Sequence, residues 1–160
     1  MPLRMASAGF GAPGSARAID APRGHAPREW DIDGAIPPDS DIADNPAFLQ
    51  PAGGLHISMR ELALFGADQL RGARGEPGTL LRPQSYRVLQ SPLPTGWGTG
   101  WALGPRGELF HDGTNLRWFA LLRVLPAENL VIAVAANSEG EEERTRRAFW
   151  ALTERLRALP

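Results

Sequence analysis

Between Gly96 and Ser138 the chain reads as four short apolar runs with turn signals between them. The runs are GTGWALG (98–104), ELFHDG (108–113), LRWFALLRVLP (116–126) and NLVIAVAANS (129–138), and GPRG and PAEN fall at their junctions. Short aromatic and aliphatic runs joined by turn residues predict an antiparallel meander. In the third run Leu116, Trp118, Ala120, Leu122 and Val124 alternate with Arg117, Phe119, Leu121, Arg123 and Leu125. Both sets are largely apolar, so both faces of that strand are predicted to be covered.

On either side of the meander the period lengthens to that of a helix. Order begins at Pro51–Gly72, where Leu62, Phe65 and Leu70, with Ala63 and Ala67 between them, follow helical spacing and Gly72 is the stop. Ser58 with Glu61 three residues on has the form of a capping box. RPQSYRVLQ predicts a second, short helix that Pro94 and Gly96 end. After the meander, Ser138 and Glu141 suggest another capping box, with Glu142–Arg146 and Glu143–Arg147 as i,i+4 pairs. Phe149, Leu152, Leu156 and Leu159 form the apolar stripe that lays this last helix across the sheet. Residues 1 to about 52, rich in Gly, Pro, Ala and Asp, show neither period and read as irregular. The expected fold class is α+β, an antiparallel β-meander flanked by helices. It forms one partial domain over 1–160: a loop-rich segment (1–50), a helical segment (51–92), the meander (96–138) and a C-terminal helix (139–160).

Composition narrows the chemistry. At 160 residues the chain is long enough for one domain with a core, and a net charge of −1 gives no case for nucleic acid or an anionic membrane. No apolar run is long enough to span a bilayer, and MPLRMASAGFGAPG lacks the apolar core of a signal peptide, so the chain as it stands reads as cytoplasmic. There is no cysteine, hence no disulfide or thiolate chemistry. All 17 basic residues are arginine. A mechanism that needs a lysine base or Schiff base is closed to these residues alone.

The residues with chemical potential gather at His111. Gly113 beside it lets a ligand or another backbone come close, and the N–H groups and hydroxyl of Thr114–Asn115 can bind a carbonyl or carboxylate oxygen. The local alternative is that HDGTN is a hairpin connection, since Asp-Gly is a favoured turn pair, and local sequence leans that way. His25, His56 and His111 lack metal-ligand spacing, and no cofactor is expected. The acidic stretch Asp31–Asp44 lacks the later ligands of a calcium loop and reads as solvated. For Trp97, Trp101 and Trp118 core packing is the default, with ligand stacking the alternative. Arg144, Arg146 and Arg147 face glutamates along a helix. Ser58 reads as an N-cap and not a nucleophile, and Tyr86, followed by Arg87 and Val88, has no partner nearby in sequence. No complete catalytic constellation is present.

Taken in order, the segments resemble the C-terminal half of serine hydrolases related to class C β-lactamases and penicillin-binding proteins, a bacterial-type family. PLRMASAGFGAPG resembles the family's PLGM…GFG segment, RGH (23–25) its short GH segment, and NPAFLQPAGGLHISMRELALF its paGGLxsTaxDLarF stretch. GTGWALG is similar to GlGW, HDGTNLRW to HxGSNxxW, and LPAENLVIAVAANS to the strand hairpin ending in vvvxtN. The resemblance implies acyl transfer on an ester or amide, with H-x-G in the third-motif position leaning toward an esterase. It implies accessory roles: His111 orienting a carboxylate or assisting proton movement, Gly113 keeping the strand edge clear, and the Thr114 N–H as one arm of an oxyanion hole. Asn115 and Trp118 would border the substrate. The S-x-x-K and Y-x-N motifs of the family do not occur here, so the chain is expected to be a truncated hydrolase, silent alone. Its missing strands would leave the LVIAVAAN edge open. The alternatives are a module that docks a separate N-terminal chain or a second copy through that edge, and a small-ligand binder at His111, Thr114 and Trp118. The family is often exported.

Overall fold

The structure is a computed structural model and describes residues 2–26, 34–138 and 141–158. Its element order is β1 (Gly9–Phe10), α1 (Gln50–Gly53), β2 (Leu55–His56), α2 (Met59–Ala73), α3 (Pro83–Leu89), β3 (Ala102–Leu103), β4 (Leu109–Thr114), β5 (Phe119–Leu125), β6 (Leu130–Ala136) and α4 (Glu142–Arg157). The architecture is α+β. Among the described residues β3-β4-β5-β6 make an antiparallel meander, and β1 pairs with β2 in a separate two-stranded ribbon.

The alternation in β5 sorts side chains to the two faces of the sheet. Leu122 and Val124 join Leu109, Trp101 and Leu70 under α2, with Phe65 and Val131 packed against them. Phe119 and Leu121 join Ile132 and Phe149 under α4. Every residue of β5 except Ala120 is buried, as expected for a strand covered on both sides. The helix α2 lies close on the sheet because Gly66 faces it: a Cβ there would meet Val131 Cγ1 at 2.5 Å.

Several local expectations are corrected. The helix expected between the Ser58 cap and the Gly72 stop does form, as α2, with Ser58 Oγ accepting from the Glu61 N–H at 3.3 Å; the residues ahead of it form α1 and the strand β2. The capping box is only half formed. Glu61 turns to the N-terminal segment and accepts from Ala6 N–H and Ser7 N–H, both at 2.9 Å, and from the Ser7 hydroxyl. The Ser58 N–H donates to Ser7 Oγ instead.

The second box does not form. Ser138 pairs with His25 as a bridge, and the helix begins three residues later with Glu141 as N-cap. On α4 the buried line is Thr145, Phe149 and Thr153, while Leu152 is 41% exposed and Leu159 lies outside the described residues. Glu143–Arg147 stands at 3.7 Å, but Arg146 leaves Glu142 for Asp112 on the sheet, at 2.6 Å. Tyr86 has a partner 18 residues back. Its fully buried hydroxyl donates to Asp68 and accepts from the Leu81 N–H at 3.2 Å. Burial first, then Asp68, pushes the phenol up from its ordinary value. The loop 79–81 is thereby tied down on α2.

Candidate functional site

The strand β4 runs Leu109–Thr114, so His111, Asp112 and Gly113 are in the sheet and not in a turn. The connection to β5 comes after them. Asn115 N–H donates to Trp118 O at 3.3 Å, Leu116 takes φ +70°, and the Asn115 side chain closes the turn by accepting from Arg117 N–H and Trp118 N–H at 3.2 and 2.9 Å. The Asp-Gly pair misled because turn chemistry supplied by Asn115 lies only two residues further on.

The neighbouring strand β3 is two residues long. It pairs with Leu109 and Phe110 only, so among the described residues β4 has no ladder partner on that side from His111 to Thr114. In an antiparallel ladder the N–H and C=O of one residue point to the same side, and successive residues alternate. Gly104 N–H to Glu108 O on the β3 side and Asn115 N–H to Trp118 O on the β5 side fix the phase. His111 and Gly113 therefore bond to β5, while the N–H and C=O of Asp112 and Thr114 face outward along the uncovered edge. Gly113 is exposed and a Cβ there would meet nothing within 4 Å, which leaves this side of the strand clear.

His111 is exposed on the α2 face, edge-on to Trp101 with ring centroids 6.2 Å apart. Its Nδ1 lies 3.0 Å from Gly100 O. A carbonyl only accepts, so Nδ1 carries a hydrogen, and in the neutral form of the ring the lone pair is on Nε2. Trp101 itself is buried and stacks on Phe65, whereas Trp97 is 57% exposed. Trp118 is half-buried with its indole against Gly24, where a Cβ would meet Nε1 at 2.7 Å.

The α4 face of the same edge is charged. Asp112 meets Arg146 at 2.6 Å and Arg123 at 3.5 Å. Arg123 is buried with its guanidinium over the rings of Phe110 and Phe149, 5.1 and 5.4 Å from their centroids, and donates to His111 O and Leu122 O. Burial pulls this guanidinium below its ordinary value, against the pull of Asp112. Arg146 lies over Phe119 at 5.1 Å.

The structure thus brings His111, Gly113, Thr114 and Asn115 to one strand and its turn, and adds partners that sequence reasoning missed. Asp44, read as part of a solvated acidic loop, accepts from Asn115 Nδ2 at 2.6 Å; Asp31 and Asp33 of that stretch lie outside the described residues. A carboxylate next to a proline-bounded asparagine, 71 residues from its partner, leaves no local signal. Asp112 and Arg146 were both named without being joined. His25 and His56 are apart from the site, each with Nδ1 on a backbone carbonyl, Asn137 O and Gly11 O. Among the described residues no three acidic or histidine side chains gather to hold a metal ion, and no helix is long and apolar enough to cross a membrane.

A family model described as Beta-lactamase matches residues 1–156. Comparison with curated proteins finds no match.

Proposed function

The chain belongs to the β-lactamase family, and on that premise we propose that it supplies the sheet-edge wall of an acyl-transfer site whose nucleophile comes from residues outside this sequence. The observation that carries this reading is the outward Thr114 N–H on an edge kept clear by Gly113. An oxyanion donor has to point at open space beside a strand, and such a donor lowers the barrier by about 3 kcal/mol once a carbonyl is attacked into it. His111, with Nδ1 held by Gly100 O, has Nε2 left to take up or give a proton near that edge. Asn115 and Trp118 border the far end of the wall; the Asn115 amide is engaged by Asp44 and the turn, so it acts by shape.

The 160 residues contain no lysine and no S-x-x-K or Y-x-N. Serine activation in this family type needs such a pair, so the chain alone is silent. The lean toward ester over β-lactam rests on H-x-G as a family analogy. The test is intact mass after incubation with a serine-reactive fluorophosphonate. No adduct is expected on this chain alone, and stoichiometric labelling would refute the reading.

A second reading is favoured by a separate observation. Among the described residues the outer edge of β6 has no ladder partner from Leu130 to Ala136, and its side chains are all apolar. Such an edge accepts a strand from another chain or a second copy. A well-behaved monomer at all concentrations, with one cooperative melt, counts against it.

A further inference from the structure

The charged groups beside the β4 edge are arranged around a carboxylate that the chain supplies itself. Asp112 stands between two arginines, one from β5 and one from α4. Arg123 is out of reach of a ligand, packed between Phe110 and Phe149 and spent on backbone carbonyls. Arg146 is the reachable cation, 40% exposed in its side chain, and its guanidinium holds Asp112 at 2.6 Å. Two further charges border the turn. Asp44 binds Asn115, and Arg117 is buried with Nη1 turned onto Asn115 O at 2.6 Å. On the other face His111, with Nδ1 on Gly100 O, turns Nε2 to the open side, where the neutral form of the ring accepts from an N–H or O–H.

We infer that Asp112 sets the class of acyl compound taken at this edge: an uncharged ester or amide, with compounds that carry a carboxylate beside the acyl group rejected. This rests on the reading of the β4 edge as a substrate wall. Asp112 fills the place on Arg146 that an incoming carboxylate would need, and a second carboxylate there meets the first at close range. Selection of this kind works by repulsion as much as by fit. His111, expected from the family resemblance to orient a carboxylate or assist proton movement, is left with the second role.

The experiment is a titration of the ¹⁵N-labelled chain with N-benzoylglycine and with its methyl ester, followed at the amides of His111–Asn115. The methyl ester is expected to shift the Asp112 and Thr114 resonances, with the free acid binding about tenfold more weakly or worse. Asp112→Asn should bring the acid to within about threefold of the ester, and added salt should weaken the acid alone. Arg146→Gln in the Asp112→Asn background should remove that gain. Equal binding of acid and ester by the unaltered chain overturns the inference, and this comparison stands even where Asp112→Asn does not fold. So does a folded Asp112→Asn protein that takes the acid no better. An acid that binds only after Asp112→Asn, with an ester that never binds, sinks the substrate wall but keeps Asp112 as the barrier to anions. No shift from either compound in either protein overturns both.

Discussion

Among the described residues the sheet has two open edges, and they differ in everything but the backbone. Along β4 the opening is short, created by a two-residue β3, and its side chains are His111, Asp112, Gly113 and Thr114. Along β6 it runs the length of the strand and presents Leu, Val, Ile and Ala. Both offer the same unpaired N–H and C=O groups, so backbone chemistry alone does not distinguish a ligand wall from a docking strand. The side chains do. A charge at Asp112, clamped by Arg146, guards the first edge against strand pairing and leaves room for a small molecule; the second carries only the apolar side chains of β6 itself. A short polar gap and a long apolar one are two uses of one liability.

The largest expected effect falls on what the edges share. Leu121 lies in β5 between them, fully buried with Phe119, Ile132 and Phe149. Leu121→Ala should lower the unfolding free energy by about 2–5 kcal/mol in chemical denaturation. A loss below about 1 kcal/mol would mean that the two edges are not framed by one core.

Next comes the β6 edge. The ladder phase turns the N–H groups of Val131, Ala133 and Ala135 outward, so Ala135→Pro removes an edge donor without touching the bonds to β5. If the edge docks a second copy, light scattering should show concentration-dependent association in the unaltered chain and a monomer in Ala135→Pro. Association that persists in the variant would place the contact elsewhere.

Acid should act away from both edges. Hydrogen bonding from the Ser7 hydroxyl, ahead of the Ser7 and Ala6 N–H groups and against some burial, holds the Glu61 carboxyl below its ordinary 4.5. A depressed carboxylate stabilises the fold above the ordinary value, and this is lost as pH falls through the folded one. Thermal melts should therefore drop more steeply below about pH 4.5 in the unaltered chain than in Glu61→Gln, which lacks the contribution at every pH. Equal slopes would remove Glu61 as a cause.

The smallest effect on stability belongs to the β4 edge. Gly113→Ala adds a methyl that touches nothing, so the unfolding free energy should change by about 0.5 kcal/mol or less. The response of the Thr114 amide to N-benzoylglycine methyl ester should nonetheless weaken, because that methyl intrudes on the cleared edge. A large loss of stability with an unchanged response would reverse the assignment.

What the sequence makes legible is periodic or local. Alternation in LRWFALLRVLP gave a strand buried on both faces, and Ser58 capped the helix after it. The departures come from contacts between segments far apart in the chain. Glu61 has the spacing of a capping box, but Ser7, 54 residues away, supplies donors that a reciprocal cap cannot match. Arg146 has Glu142 four residues back, and the sheet offers Asp112, held in a partly buried site. An i,i+4 pair on an exposed helix face contributes only about 0.3–0.5 kcal/mol, so a better-enclosed partner displaces it. The same holds at the site: the H-x-G edge was visible as a motif, while Asp44 and the arginine pair around Asp112 exist only once β4, β5 and α4 are stacked.

The central claim, that β4 presents an uncovered edge with Thr114 N–H directed outward, is tested most directly by residue-resolved amide hydrogen exchange. Alternating protection is expected, slow at His111 and Gly113 and fast at Asp112 and Thr114. Uniform slow exchange from His111 to Thr114 would mean that the edge is covered, and the wall of the acyl-transfer site would not exist.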